Sequence, residues 1–275
     1  MPALLSTWQW LEYALLLLVG GALAWMEWQQ PKRQAAPNRR RRWAVNLSLY
    51  ALGAGLTLLV LEPMRQAAIR LGSLLLQGGG LGALALPGLF KVLLGIVLAD
   101  AMQYWLHRLS HAIPLLWRLH QVHHADEVLD VSTAIRHHPL EALVLTALTL
   151  MLSAALGVPV LSLLIYALLQ WTHALFCHAN VALAAPLDRM LRYCIVTPDM
   201  HRVHHSVRMD EGNRNFGMVF SWWDWIFRSY QAQPRAGHEG MVLGLATKQG
   251  QGVWASLVQP LHGVSDAAAE EQVLR

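Results

Sequence analysis

The chain has 275 residues, 55% of them hydrophobic and 14% charged, with a mean hydropathy of +0.34. A soluble domain carries about 25% charged residues, so this composition argues against a soluble globular protein and for one embedded in a membrane. The net charge of +4 does not point to nucleic acid, because the basic residues concentrate in one interhelical segment, and two cysteines cannot build a disulfide framework or a zinc knuckle.

The first predicted span runs from Trp8 to Trp28, an apolar centre bracketed by aromatics and close to the ~20 residues a bilayer requires. Without a basic n-region or a small-residue cleavage site, it reads as a retained helix rather than a signal peptide. The segment from Lys32 to Arg42 follows with six basic residues and reads as a cytoplasmic loop under the positive-inside rule. A second span covers about 43–61. Residues 62–88, with Pro63, "QGGG" and Pro87, read as a loop plus an interfacial or re-entrant helix. Further spans cover about 89–106, 140–156 and 160–176, the last two joined by a tight "GVP" turn. The expected architecture is all-α: a membrane bundle of four to five spans with a cytoplasmic helical cap. Its expected parts are N-terminal spans (1–88), a catalytic region (89–230) and a partly ordered cytoplasmic tail (231–275). Counting crossings from the basic loop places residues 107–138, 173–178 and 201–205 on one membrane face, and every clustered histidine lies in those three stretches.

His107 and His111 are spaced i, i+4 and share a helical face with Tyr104 and Asp100. A carboxylate in an apolar span costs about 2.5–3.5 kcal/mol near the bilayer centre and needs compensation. Asp100 therefore either accepts the second ring N–H of a metal-bound histidine or makes a helix-packing hydrogen bond. "HQVHH" places His120, His123 and His124 at i, i+3, i+4, and "HRVHH" repeats the spacing at His201, His204 and His205. One HxxxH pair and two HxxHH triplets on one membrane face form a metal-binding pattern. Eight imidazoles exceed the four ligands of a structural zinc site and imply two metals with open positions. Ligand type alone leaves iron, zinc, copper and nickel open.

The segments "DAMQYWLHRLSH", "LWRLHQVHH", "RHHPLE", "FCHAN", "TPDMHRVHHS", "NRNFG" and "WWDWIFRSY" resemble those of the fatty acid hydroxylase and sterol desaturase superfamily of membrane di-iron enzymes. The resemblance covers about residues 95–230. It implies metal ligands at the eight box histidines and at His178, with His173 a further candidate at a slightly different spacing. It implies a structural or supporting role for His138, while His137 reads as interfacial. Asn180 and Asn215 read as hydrogen-bonding supports or as turn residues, and Asn213 and Gly217 as turn residues. The tryptophans of "WWDWIFRSY" read as packing, Asp224 and Arg228 as a local i, i+4 pair, and Cys177 as a buried inert thiol.

The activity implied is O2-dependent hydroxylation of an unactivated C–H bond in a membrane lipid (fatty acyl, sterol-like or ether lipid) at two iron ions. Desaturation at the same site is the near alternative. No GxGxxG fingerprint follows a strand, so electrons are expected from an external donor, cytochrome b5-like or ferredoxin-type with its reductase. The broad bacterial group of the superfamily is the nearest in character, implying an inner-membrane location with the site facing the cytoplasm. A membrane zinc hydrolase would lack its HExxH glutamate here. A haem carrier would need axial histidines inside facing spans, whereas these cluster at span ends.

Overall fold

The computed structural model describes residues 2–34, 38–76, 80–247 and 251–262. Among them the regular structure is helical, with only isolated β-bridges. Six long or medium helices build the body: α1 (Pro2–Gln29), α2 (Arg39–Leu76), α3 (Gly88–Ala112), α4 (Pro114–His124), α5 (Pro139–Leu156) and α6 (Val160–His178). Two shorter helices, α7 (Ala185–Leu191) and α8 (Pro198–His204), lead into the last part of the cap. Among the described residues, four stretches are long and apolar enough to cross a membrane: Arg39–Leu61 within α2, and the whole of α3, α5 and α6. α2 packs along α5, while α3 and α1 both pack against α6.

Local sequence chemistry sets the breaks. Pro114 disfavours helical geometry in the residue before it; Ile113 is accordingly extended, ending α3 and starting α4 with Pro114 in its first turn. This break turns α4 back over the end of α3. Gly157 closes α5 in the left-handed region at φ 64°, its N–H bonding Ala154 and the next N–H bonding Ser153, a pairing that satisfies the last carbonyls of a helix. The expected "GVP" hairpin turn is therefore present. α3 and α6 approach closely at Gly95, where an added Cβ would lie 2.3 Å from Ser162 Oγ.

Three expectations need correction. The second apolar span does end at Leu61, but its helix, α2, does not give way to a loop there and continues through Pro63 to Leu76. At 1.5 Å per residue its 38 residues extend about 57 Å, beyond a hydrocarbon core of about 30 Å. Proline removes one backbone donor, but a helix beside other helices can absorb that loss. The basic run is not wholly a solvated loop, because Arg42 is buried and chelates Asp126 through Nε–Oδ1 and Nη2–Oδ2, both 2.7 Å, and reaches Asp130 at 2.7 Å. Nor do residues 231–247 and 251–262 trail from the body. Ser256 accepts from Arg136, Leu257 O from His138, and Gln259 donates to the carbonyl of Gln121. The expectation for "GVSDAAAEEQVLR" falls on residues 263–275, outside the described residues.

Candidate metal centre

Nine histidines meet at one end of the bundle in two adjoining sets. His107, His111, His120, His124 and His204 form one, and His123, His178, His201 and His205 the other; within each set the candidate ligand atoms lie within 4.8 Å of one another. The sets touch through His124 and His205, whose rings stack 4.4 Å apart. Four elements converge to build them. The end of α3 contributes one pair, α4 a triplet, the end of α6 a single residue, and α8 with the residue after it the second triplet. Thr197 caps α8, with Pro198 in the first helical position, which fixes where that triplet begins.

The ring nitrogens are used asymmetrically. Six Nδ1 atoms are anchored to acceptors of the protein: His107 donates to the carbonyl of Phe216 at 2.9 Å, His123 to Arg136 at 3.0 Å, His178 to Ala174 at 2.8 Å and His204 to Arg214 at 2.8 Å. His111 Nδ1 meets Asn213 Oδ1 at 3.2 Å, and His120 Nδ1 donates to Glu141 at 2.6 Å. A neutral imidazole carries one N–H, so in these six the Nε2 atom is left as a bare acceptor. Nε2 of His111, His120 and His204 is buried with no hydrogen-bond partner. Nε2 of His178 lies 3.1 Å from that of His123 and 2.9 Å from that of His201. Between His178 and His123, both anchored at Nδ1, lone pairs face one another at 3.1 Å and repel unless a cation sits between them. The arrangement fits metal ions, with the outer nitrogens held as ligand-orienting partners hold them. Burial, reinforced by the neighbouring imidazoles, keeps His123, His124, His201, His204 and His205 well below the ordinary imidazole pKa. They are therefore neutral, the form that binds metal.

The structure separates the remaining sequence candidates. His173 is buried in α6 but joins neither set. His138 caps α5: its Nδ1 accepts from Leu140 N and its Nε2 donates to Leu257 O, so both nitrogens serve the backbone. Asp100 reaches no histidine. It accepts from Tyr166 Oη at 2.7 Å, Trp223 Nε1 at 2.8 Å, and the backbone N–H groups of Val219 and Phe220 at 3.1 Å each. The ligating-partner alternative for Asp100 is thus replaced by a packing role, because the segment 216–230 rather than an imidazole faces that turn of α3. Tyr104, one turn on, bonds Ser229 Oγ at 2.8 Å and stacks on Phe227.

Asn215 has φ 52° and clamps its loop, donating to Met200 O and Gln231 O and accepting from Gln231 N. It stands between Arg214 and Phe216, whose carbonyls receive His204 and His107. Asn180 bonds both backbone groups of Arg33 and donates its own N–H to Glu27, fixing the chain just after His178. Asn213, read from sequence as a turn residue, supports His111. Gly217 has no space for a side chain: a Cβ would meet Val196, Asp224 and Phe220 within 3 Å. Asp224 does not pair with Arg228. It accepts from the N–H groups of Phe216 and Gly217 and from Ser229. Trp222 stacks on Phe220 and Trp225 on Tyr230, and Cys177 is a free buried thiol in none of the metal groups.

Sequence reasoning missed Glu141 and the contacts of the half-buried His137. Glu141 Oε1 and Oε2 accept from His120 and from His137 (3.2 Å), and the His137 ring stacks on His123 at 4.5 Å and 5°. The signal was present, since a carboxylate opening an apolar helix sits at i+4 from a histidine.

A bundle of apolar helices ending in two joined cages of imidazoles defines a membrane protein with histidine clusters able to hold metal. The family model described as fatty acid hydroxylase matches residues 92–229, and the chain belongs to that family. It is 34% identical over 175 residues to ornithine lipid hydroxylase OlsE of Rhizobium tropici, covering 63% of this chain and 51% of that one. It is 29% identical to alkylglycerol monooxygenase of Homo sapiens (57% and 32% covered) and 26% identical to methylsterol monooxygenase 2-2 of Arabidopsis thaliana (50% and 51%). The chain thus matches about half the length of these relatives or less. No solved structure gives a significant match.

Proposed function

We propose that the protein is a membrane-bound di-iron hydroxylase that inserts one oxygen atom of O2 into an unactivated C–H bond of a lipid. The observation that carries this is the paired cage, in which six of the nine histidines have Nδ1 tied to carbonyls, Asn213 or Glu141 and leave Nε2 as a bare acceptor. His107, His111, His120, His124 and His204 would hold one ion, and His123, His178, His201 and His205 the other. When bound, iron supplies the activation of O2 and of the C–H bond. The overall balance is lipid, O2, two electrons and two protons giving hydroxylated lipid and water, so a separate electron donor of the cytochrome b5 or ferredoxin kind is required. The protein's share is to fix the imidazoles as neutral acceptors and to hold them beside the apolar ends of α3 and α6, where a lipid tail can approach from the bilayer.

The relatives' names point to polar membrane lipids, ether lipids and sterols as the substrate range. The basic run supports a cytoplasmic orientation, since Lys32 pairs with Asp199 and Arg42 with Asp126 at the histidine end of the bundle. The test is metal analysis of the purified protein together with the variants His123→Ala and His204→Ala. The expected result is two irons per chain without haem absorbance, and loss of lipid oxidation in both variants with membrane insertion retained. One zinc with hydrolase activity, or full oxidation by either variant, would overturn the proposal.

A further inference from the structure

A second feature lies apart from the histidine cages. Between the end of α1 and the start of α2 is a groove of about 510 Å³, lined by Ala24, Trp25, Trp28, Arg39, Arg40 and Trp43. Its size falls in the range of small-ligand sites, roughly 300–1,000 Å³. Three indoles and two guanidinium groups line it, and no acidic side chain does. The nearby carboxylate of Glu27 is buried and committed elsewhere, accepting from Val131 N, Asn180 N and Arg39 at 2.7, 2.7 and 3.0 Å. The Arg39 guanidinium also lies over the Trp43 ring at 4.9 Å, which presents it at the groove with one side held. Arg40 is exposed and has no side-chain partner among the described residues. Trp25 and Trp28 are 60% and 76% exposed.

The groove's position selects its occupant. The apolar stretch of α2 begins at Arg39, so the groove sits where a span meets the membrane surface, the level at which tryptophan and arginine anchor to headgroups. We infer that it binds an anionic glycerophospholipid of the surrounding leaflet. The phosphate lies against Arg39 and Arg40, and the upper acyl chain runs along Trp25 and Trp28. A zwitterionic lipid would bring its cationic end to two arginines with no carboxylate to receive it. The groove also adjoins the body's internal braces, because Arg39 holds Glu27, and Trp43 Nε1 donates to Asp130 at 3.1 Å.

The experiment is native mass spectrometry of the full-length protein, delipidated in detergent and offered equal amounts of phosphatidylglycerol and phosphatidylcholine with matched chains. The wild type should retain phosphatidylglycerol preferentially. Arg40→Gln should reduce that adduct about fivefold, the effect of one basic residue at a membrane surface. Trp25→Ala with Trp28→Ala should reduce retention of both lipids. Arg41→Gln, adjacent but outside the groove, should leave the adduct unchanged. Equal retention of the two lipids by the wild type, or equal losses in Arg40→Gln and Arg41→Gln, would overturn the assignment in favour of diffuse surface charge. Arg40→Gln removes a side chain with no partner among the described residues, so the test does not depend on the tryptophan variant folding.

Discussion

At the scale of single residues, the cage depends on what each imidazole does with its outer nitrogen. Among the described residues Glu141 is the one carboxylate that receives a cage histidine, and its 2.6 Å bond to His120 fixes that ring with Nε2 facing the set. Replacing Glu141 with Gln keeps the shape and removes the charge. Partners of this kind change metal affinity about 10–100-fold, so Glu141→Gln should lose metal to a chelator at correspondingly lower concentrations, with insertion unchanged. Metal retention equal to wild type would show that the cage orients His120 without it. Asp100 shows how far periodicity carries. Its place on the stripe with Tyr104, His107 and His111 was legible, but its partners were not. A helical step of three or four specifies a face, whereas what packs on that face comes from residues 66 to 123 positions away.

At the scale of elements, the bundle is set by a few breaks and close approaches. The span limits around residues 89–106, 140–156 and 160–176 were legible because lipid-facing helices are long and apolar, and Pro114, Pro139 and Gly157 mark their ends. The continuation of α2 through Pro63 was not legible, because neighbour helices decide whether a proline ends a helix. The contact of α3 with α6 offers a direct test. Gly95→Leu forces side-chain atoms into Ser162 and should cost about 1–3 kcal/mol as an overpacked contact, read as a lower melting temperature in detergent. Adding Ser162→Gly should return part of that loss. If the single variant melts like the wild type, the two helices do not meet at Gly95 as described.

At the scale of the whole molecule, contacts run between the expected spans, catalytic region and tail. Arg136 is almost fully buried and joins Val122 O, Asn46 and Ser256, tying α4, α2 and the C-terminal segment to the carbonyl that receives His123. Ending the chain at Gly250 removes Ser256, Leu257 and Gln259 together. The truncated protein should still insert, but it should melt at lower temperature and hold less metal than the full chain. Unchanged metal content would separate the C-terminal segment from the cage. The membrane class, the histidine triplets and the family resemblance were all legible without coordinates, because apolar length and i, i+3, i+4 spacing are local properties of the chain. The division of nine histidines into sets of five and four, with neighbours His123 and His124 on opposite sides, required the three-dimensional arrangement. So did the carbonyls of Arg136, Arg214 and Phe216 that fix the rings: a backbone carbonyl has no side chain to mark it, and its aim is set by the folding of distant segments against one another.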